Sequence, residues 1–216
     1  YEVDDARGNS NFTPSFFDHF QRLRGYDLKD HIADLLGYTT PEMNKRVLAD
    51  YRMTISDLLL EEFTKPWHQW SQNKDLLVRN QAHGSPANIL DLYAASDIPE
   101  TEGKDLVKIK MASSAAHLTG KNLVSSESAT WLNDHFLSSW GDVRVALDRF
   151  FLGGVNHVFY HGTAYSPENA RWPGWLFYAA VHFHPSNPQW NHFEALNKYV
   201  ARVQSFMQRG KSDNKI

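Results

Sequence analysis

Short extended-looking runs recur along this chain with helical stretches between them, an alternation that limits the fold to an α/β architecture with parallel strands. The runs are Tyr1-Glu2-Val3, Leu76-Leu77-Val78, Asp97 to Gly103, Leu123 to Glu127, and Val155 to Tyr160, the last of them the clearest. Thr13-Pro14 supplies start signals for an amphipathic helix that carries Phe16, Phe17, Phe20 and Leu23 on one face and ends at Gly25. A short helix is expected over Asp27 to Leu36. A long one runs from Pro41 to about Gln72, and Pro66 should kink or break it. Ser85-Pro86 restarts a helix through Leu90 and Ala94. Further helices are expected over Asp105 to Thr119, around Trp131 to Phe136, over Asp142 to Phe151, and over Asn191 to Gln208. About five strands fall short of the eight in a (β/α)₈ barrel. The expectation is therefore a partial TIM-type barrel, with residues 1–216 forming part of one catalytic domain whose first strands are not included.

Neither end reads as a natural boundary. The chain opens at Tyr1 without a methionine and closes on the polar run Lys211 to Ile216. An incomplete barrel would expose strand edges and core, so the 216-residue piece is expected to be inactive by itself.

Composition narrows the function classes. The net charge of −3 and a pI near 6.4 argue against a nucleic-acid partner, which would call for a basic stripe. No apolar run is long enough to cross a bilayer, so no membrane partner is expected. There is no cysteine, which removes disulfides and thiolate nucleophiles but leaves the compartment open; a periplasmic or secreted parent fits as well as any. Aromatic residues reach 13 %, with seven Trp and nine Tyr, and aromatic faces can stack on the C–H faces of sugars as readily as they fill cores. Dinucleotide, P-loop, HExxH and G-x-S-x-G signatures are all missing.

In parallel α/β barrels the reactive groups collect at the C-terminal strand ends, and in this chain those points are polar. Glu2, the run Asn80 to His83, the trio Asp97, Glu100 and Glu102, Glu127, and His161 all fall there. Glycoside hydrolysis needs two carboxyl groups facing one another across the scissile bond, and Glu2 with Glu127 could supply them. Glu127 also precedes a helix, where a carboxylate is favoured electrostatically, so a structural role stays open. Asp97, Glu100 and Glu102 could hold Ca²⁺, which takes oxygen ligands in flexible geometry, or could form a solvated acidic loop. Asn80 and His83 could bond substrate hydroxyls or simply the next loop. Trp175, in Trp172-Pro173-Gly174-Trp175, could be a sugar platform or a plug. His182 and His184 project to one side of an extended segment and could be half of a zinc site, although a third ligand is not at a familiar spacing.

Longer stretches carry a family resemblance. The segments Val78-Arg79-Asn80-Gln81-Ala82-His83-Gly84-Ser85-Pro86-Ala87-Asn88, Asp97-Ile98-Pro99-Glu100-Thr101-Glu102, Asn156-His157-Val158-Phe159-Tyr160-His161-Gly162-Thr163 and Tyr165-Ser166-Pro167-Glu168, with Trp172-Pro173-Gly174-Trp175, together resemble family 106 of the glycoside hydrolases, the α-L-rhamnosidases. The similarity runs from Tyr1 to Asn214. It implies large bacterial or fungal proteins with β-sandwich domains around a barrel, and an inverting mechanism on terminal α-L-rhamnose assisted by Ca²⁺. Glu2 then resembles the general acid and Glu127 the general base. Glu102 and Glu100 resemble metal-facing residues, and Asn80, His83, Asp97, Glu100, His161 and Trp175 substrate-facing ones. The partners implied are a rhamnose-containing glycan or glycoside and the remainder of the parent polypeptide. Two rivals are a non-catalytic carbohydrate-binding scaffold and a metal-dependent hydrolase built on His182 and His184.

Overall fold

The structure, a computed structural model, describes residues 11–211; the first expected strand and Glu2 lie outside them. The chain forms two compact units, the first up to Ser96 and the second from Asp97. The first unit is mostly helical. Helix α1 (Phe16–Arg24) starts two residues later than Thr13-Pro14 suggests, because Thr13 and Pro14 form a turn in which Phe16 N–H bonds the Thr13 carbonyl. Asp27 caps a 3₁₀ turn over Leu28–His31 that leads into the short α2 (Ile32–Leu35). Thr40 caps α3 (Pro41–Leu58), with Pro41 in its first turn, where a missing N–H costs nothing. The expected break at Pro66 is real but begins earlier. A π-helical turn over Leu59–Thr64 ends α3, and Pro66 sits in the first turn of α4 (Lys65–Gln72). Phe16, Phe20, Leu28, Val47 and Ile55 are buried together, with Tyr26, Tyr51 and Leu59 packed against them. The unit closes with β1 (Arg79–Gln81) and α5 (Ile89–Ala94), the latter capped by Asn88.

The second unit holds β2 (Ile98–Thr101), α6 (Leu106–Leu118), β3 (Ser125–Ser128), α7 (Trp140–Leu152), β4 (His157–Tyr160) and α8 (Phe193–Met207). Strands β2, β3 and β4 pair in parallel and in sequence order. With helices between them they form consecutive βα units, the expected partial-barrel pattern. Asp105 caps α6, accepting from Val107 N–H and Lys108 N–H. A Ser139–Asp142 capping box starts α7, and the Ser139 hydrogen bonds hold the Asp142 carboxyl below its ordinary range. The Gly153-Gly154 pair that follows α7 lets it close on α6. A Cβ on Gly153 would lie 2.2 Å from Ile109 Cγ2, and one on Gly154 (φ +94°) would lie 2.7 Å from Ser113 Cβ. Ser113 Oγ donates to the Gly153 carbonyl at 2.7 Å, which fixes the entry to β4.

One expected helix is absent. Trp131 makes an antiparallel bridge with Ala180, and the residues after it turn, with Leu137 N–H bonded to the Asp134 carbonyl and Phe136 N–H to the Asp134 carboxylate. Asp and Asn at 133–134 favour such local closures over helix. Among the described residues no helix is long and apolar enough to cross a membrane.

Candidate active site

Parallel pairing gives β2, β3 and β4 a common C-terminal edge, and their register decides which side chains meet there. Glu100, Ser125 and His157 form one row across the strands, and Glu127 pairs with Phe159 two rows further on. Side chains alternate along a strand, so Ser125 and Glu127 share one face while Ser126 and Ser128 share the other. The Ser126 and Ser128 hydroxyls lie 2.5 Å apart on that second face. Tyr160, paired with Ser128, points the same way and donates to Asn197 Oδ1 of α8 at 2.8 Å. Burial there pushes the Tyr160 phenol up to about 12. The acidic residues thus occupy the face turned away from α8. Continuing the β2–β3 register by one residue brings Glu102, just past β2, alongside Glu127.

On that face Glu100 is 4 % exposed and accepts from the Ser125 hydroxyl at 2.8 Å. Burying a carboxylate is costly unless donors satisfy it, and a serine in the adjacent row is one such donor. Glu127 is more open, with 27 % of its side-chain surface exposed, and its Oε1 lies 3.0 Å from His161 Nδ1. Thr130 Oγ1 approaches the same Nδ1 at 2.8 Å. His161 continues the ladder through its N–H to the Ser128 carbonyl. Its ring packs edge-on against Phe177 at 4.8 Å and lies 5.8 Å from Tyr178.

The other sequence candidates fall in different places. Asp97 precedes β2 and therefore marks the opposite, N-terminal edge, where its charge acts on Lys121. It does not join Glu127. Asn80 lies buried in β1, and His83, in the turn that follows, is part-buried; both belong to the first unit. Trp175 is 61 % exposed; its N–H bonds Ser166 Oγ at 2.7 Å. Gly174 at φ +88° makes that turn possible, since a Cβ there would meet the same hydroxyl at 2.6 Å. His182 is fully buried, and both its Nε2 and His184 Nδ1 lie 2.9 Å from the Ser186 hydroxyl. Burial, aided by His184 and His135, lowers the His182 pKa. These imidazoles are tied into a loop network with Ser186 and the Pro173 carbonyl, to which Ser186 Oγ donates.

For a calcium ion the described residues are a poor fit. Glu100 is engaged by Ser125, and among the described residues no group of three or more His, Asp or Glu is placed to hold a metal, whereas Ca²⁺ takes six to eight oxygens. Sequence reasoning passed over Thr130, Phe177 and Tyr178. Two aromatics one residue past the Trp-Pro-Gly-Trp run were a usable signal for the latter pair. Thr130 gave none, since only the β3–β4 register brings it to His161.

Parallel strands with carboxylates and an imidazole on one edge and face define an α/β domain of the barrel type. The model of the alpha-L-rhamnosidase family, glycoside hydrolase family 106, matches residues 3–216, and the chain belongs to that family. It is 26 % identical to a rhamnosidase from Novosphingobium sp. PP1Y, superposing with a TM-score of 0.77 over 97 % of this chain and 21 % of that one. It is also 29 % identical over 98 % of its length to a protein of Formosa agariphila provisionally named a beta-glucuronidase, covering 18 % of that protein. The chain thus spans about a fifth of the length of these relatives.

Proposed function

We propose that the full-length protein removes terminal α-L-rhamnose from glycosides or polysaccharides by an inverting mechanism, with Glu127 as general base and Glu2 as general acid. The observation that supports this best is the setting of Glu127, a part-exposed carboxylate at the C-terminal end of a parallel strand, 3.0 Å from an imidazole nitrogen and flanked by Phe159 and Glu102 positions. As base, Glu127 takes a proton from water while the water oxygen bonds to the anomeric carbon. The glycosidic bond breaks at that carbon, and the acid carboxyl delivers its proton to the departing oxygen. Such a pair works at roughly 6.5–9.5 Å. Asn80, His83 and Trp175 are proposed to bind sugar hydroxyls and faces. Calcium, if the full-length protein holds it, needs ligands beyond Glu100 and Glu102, and no step is assigned to it. Residues 1–216 alone are expected to release no rhamnose.

The test is hydrolysis of p-nitrophenyl α-L-rhamnoside by the full-length protein, with and without chelator, beside Glu127→Gln. Release that falls by at least about 10³-fold in the variant supports the reading. Unchanged release sinks Glu127 as base. Loss of activity on chelation would bring calcium into the reaction. The p-nitrophenyl β-glucuronide, run in parallel, checks the sugar: preference for it over the rhamnoside would overturn the rhamnose assignment.

A further inference from the structure

We infer that His161 acts as a positioning residue for Glu127, with Thr130 and Phe177 fixing its ring, and that its Nδ1 is not a substrate contact. The inference rests on the reading of Glu127 as base and deepens it. Two oxygens, Glu127 Oε1 at 3.0 Å and Thr130 Oγ1 at 2.8 Å, converge on the single atom Nδ1. An ionised carboxylate can only accept. A bare Nδ1 would set its lone pair against Oε1, so the hydrogen belongs on Nδ1, where it faces both the Glu127 and the Thr130 oxygens. That nitrogen is therefore committed within the protein. A glutamate at a strand end is free about three side-chain torsions, and anchoring one oxygen sets the plane of the carboxylate and the direction in which it meets water.

The imidazole is held from several sides. Its own backbone N–H extends the β3–β4 ladder to Ser128 at 2.9 Å. The Phe177 ring stands edge-on to it, 80° between planes. Phe177 is anchored in turn, because a ring nitrogen of His135 bonds its carbonyl. Residues from the β3 end, the 131–136 turn and the 177–178 segment thus converge on one ring whose polar atom faces Glu127. A device that holds the base should affect the rate of the chemical step more than affinity, and a misplacement of roughly 1 Å can cost about 100-fold.

The experiment compares kcat and KM of the full-length protein for p-nitrophenyl α-L-rhamnoside among wild type, Glu127→Gln, His161→Leu, His161→Asn and Thr130→Val, with a thermal melt of each. His161→Leu is expected to lower kcat by about 100-fold and move KM by less than about threefold. His161→Asn, whose amide N–H can stand where Nδ1–H stood, should stay within about tenfold of wild type. Thr130→Val should lower kcat by about three- to tenfold at constant KM. A His161→Leu effect that appears in KM with kcat preserved makes the residue a substrate contact and overturns the inference. So does an Asn variant no better than Leu. If the Leu variant does not fold, the Asn and Val variants decide: an unchanged kcat in Thr130→Val overturns the inference. An active Glu127→Gln would instead show that the underlying reading of the base has failed, whereas an inactive one beside a fully active His161→Leu removes the positioning role alone.

Discussion

The two edges of the β2–β3–β4 ladder are both polar, yet their polar groups are used differently. At the N-terminal edge Asn156, 6 % exposed, works as a strut. Its Oδ1 accepts from Val124 N–H at 2.9 Å, its Nδ2 donates to the Asn122 carbonyl at 2.7 Å, and its own carbonyl accepts from Gln208. The bonds tie Asn156, just ahead of β4, to the segment just ahead of β3 and to the end of α8, and burial closes the side chain to a ligand. At the C-terminal edge Glu127, Thr130 and His161 are all part-buried, and the Glu127 and Thr130 side-chain oxygens both approach the His161 ring. Polar groups that close the fold are turned inward; those proposed for chemistry keep an open side. This is the division between stability and reactivity that parallel barrels make between their two ends.

The largest effect that would break this contrast is at Glu127. Glu127→Gln keeps shape and one hydrogen-bonding oxygen, so thermal unfolding should be nearly unchanged while turnover falls by the thousandfold or more proposed above. A variant that melts early as well would show that Glu127 is also a strut. The reciprocal change is Asn156→Ala. It strands the buried Val124 N–H, at about 1–3 kcal/mol, and removes the bond to the carbonyl of exposed Asn122, worth about 0.5–1.5 kcal/mol. Denaturation should show a loss of about 2–4 kcal/mol, with the KM of the remaining folded protein unaltered. A change in KM without loss of stability would move this edge into the site.

Ser125→Ala sharpens the comparison by testing a residue between the two kinds. Ser125 is buried and donates to buried Glu100, so its loss leaves that carboxylate one donor short. A destabilisation of about 1–3 kcal/mol is expected, smaller than for Asn156→Ala because one bond is lost rather than two. If melting is unaffected and activity collapses, Glu100 belongs with the reactive edge.

How much of this was legible in the sequence differs between the same parts. Most of the helices were, because their signals are local; the one expected around Trp131 to Phe136 was not there. Pro41 after Thr40, Asp105 ahead of α6 and Gly25 after α1 all mark ends that the structure keeps. The strands were found but displaced. Leu76 and Leu77 drew attention as an apolar run yet are more than half exposed, while β1 is Arg-Asn-Gln beyond them. Likewise β2 is Ile-Pro-Glu-Thr and β3 Ser-Ser-Glu-Ser, with little of the β-branched, alternating character that marks a strand. Their inward positions carry polar groups instead of core, so the pattern that reveals an ordinary strand is missing where the chemistry is proposed. Register was beyond sequence reasoning. Asp97 and Glu102 are five residues apart and look like one acidic cluster, but a strand between them sends them to opposite edges.

The smallest expected effect concerns the two faces rather than the two edges. Tyr160 sits in β4 beside Phe159, but its phenol points to α8 and bonds Asn197, while Phe159 shares the face of Glu127. Burial raises the Tyr160 phenol from 10.0 to about 12, so between those values the folded protein keeps a proton that the unfolded chain releases. Stability from this group is fully present below pH 10 and is lost as pH rises toward 12. Tyr160→Phe should cost about 1 kcal/mol at neutral pH through the lost hydrogen bond, and it should make the alkaline decline in melting temperature shallower. Turnover should be untouched, because the phenol lies on the helix side of the sheet. A Tyr160→Phe protein with normal melting but reduced kcat would mean that the α8 face communicates with Glu127 across the strand, and the separation of the two faces would fail.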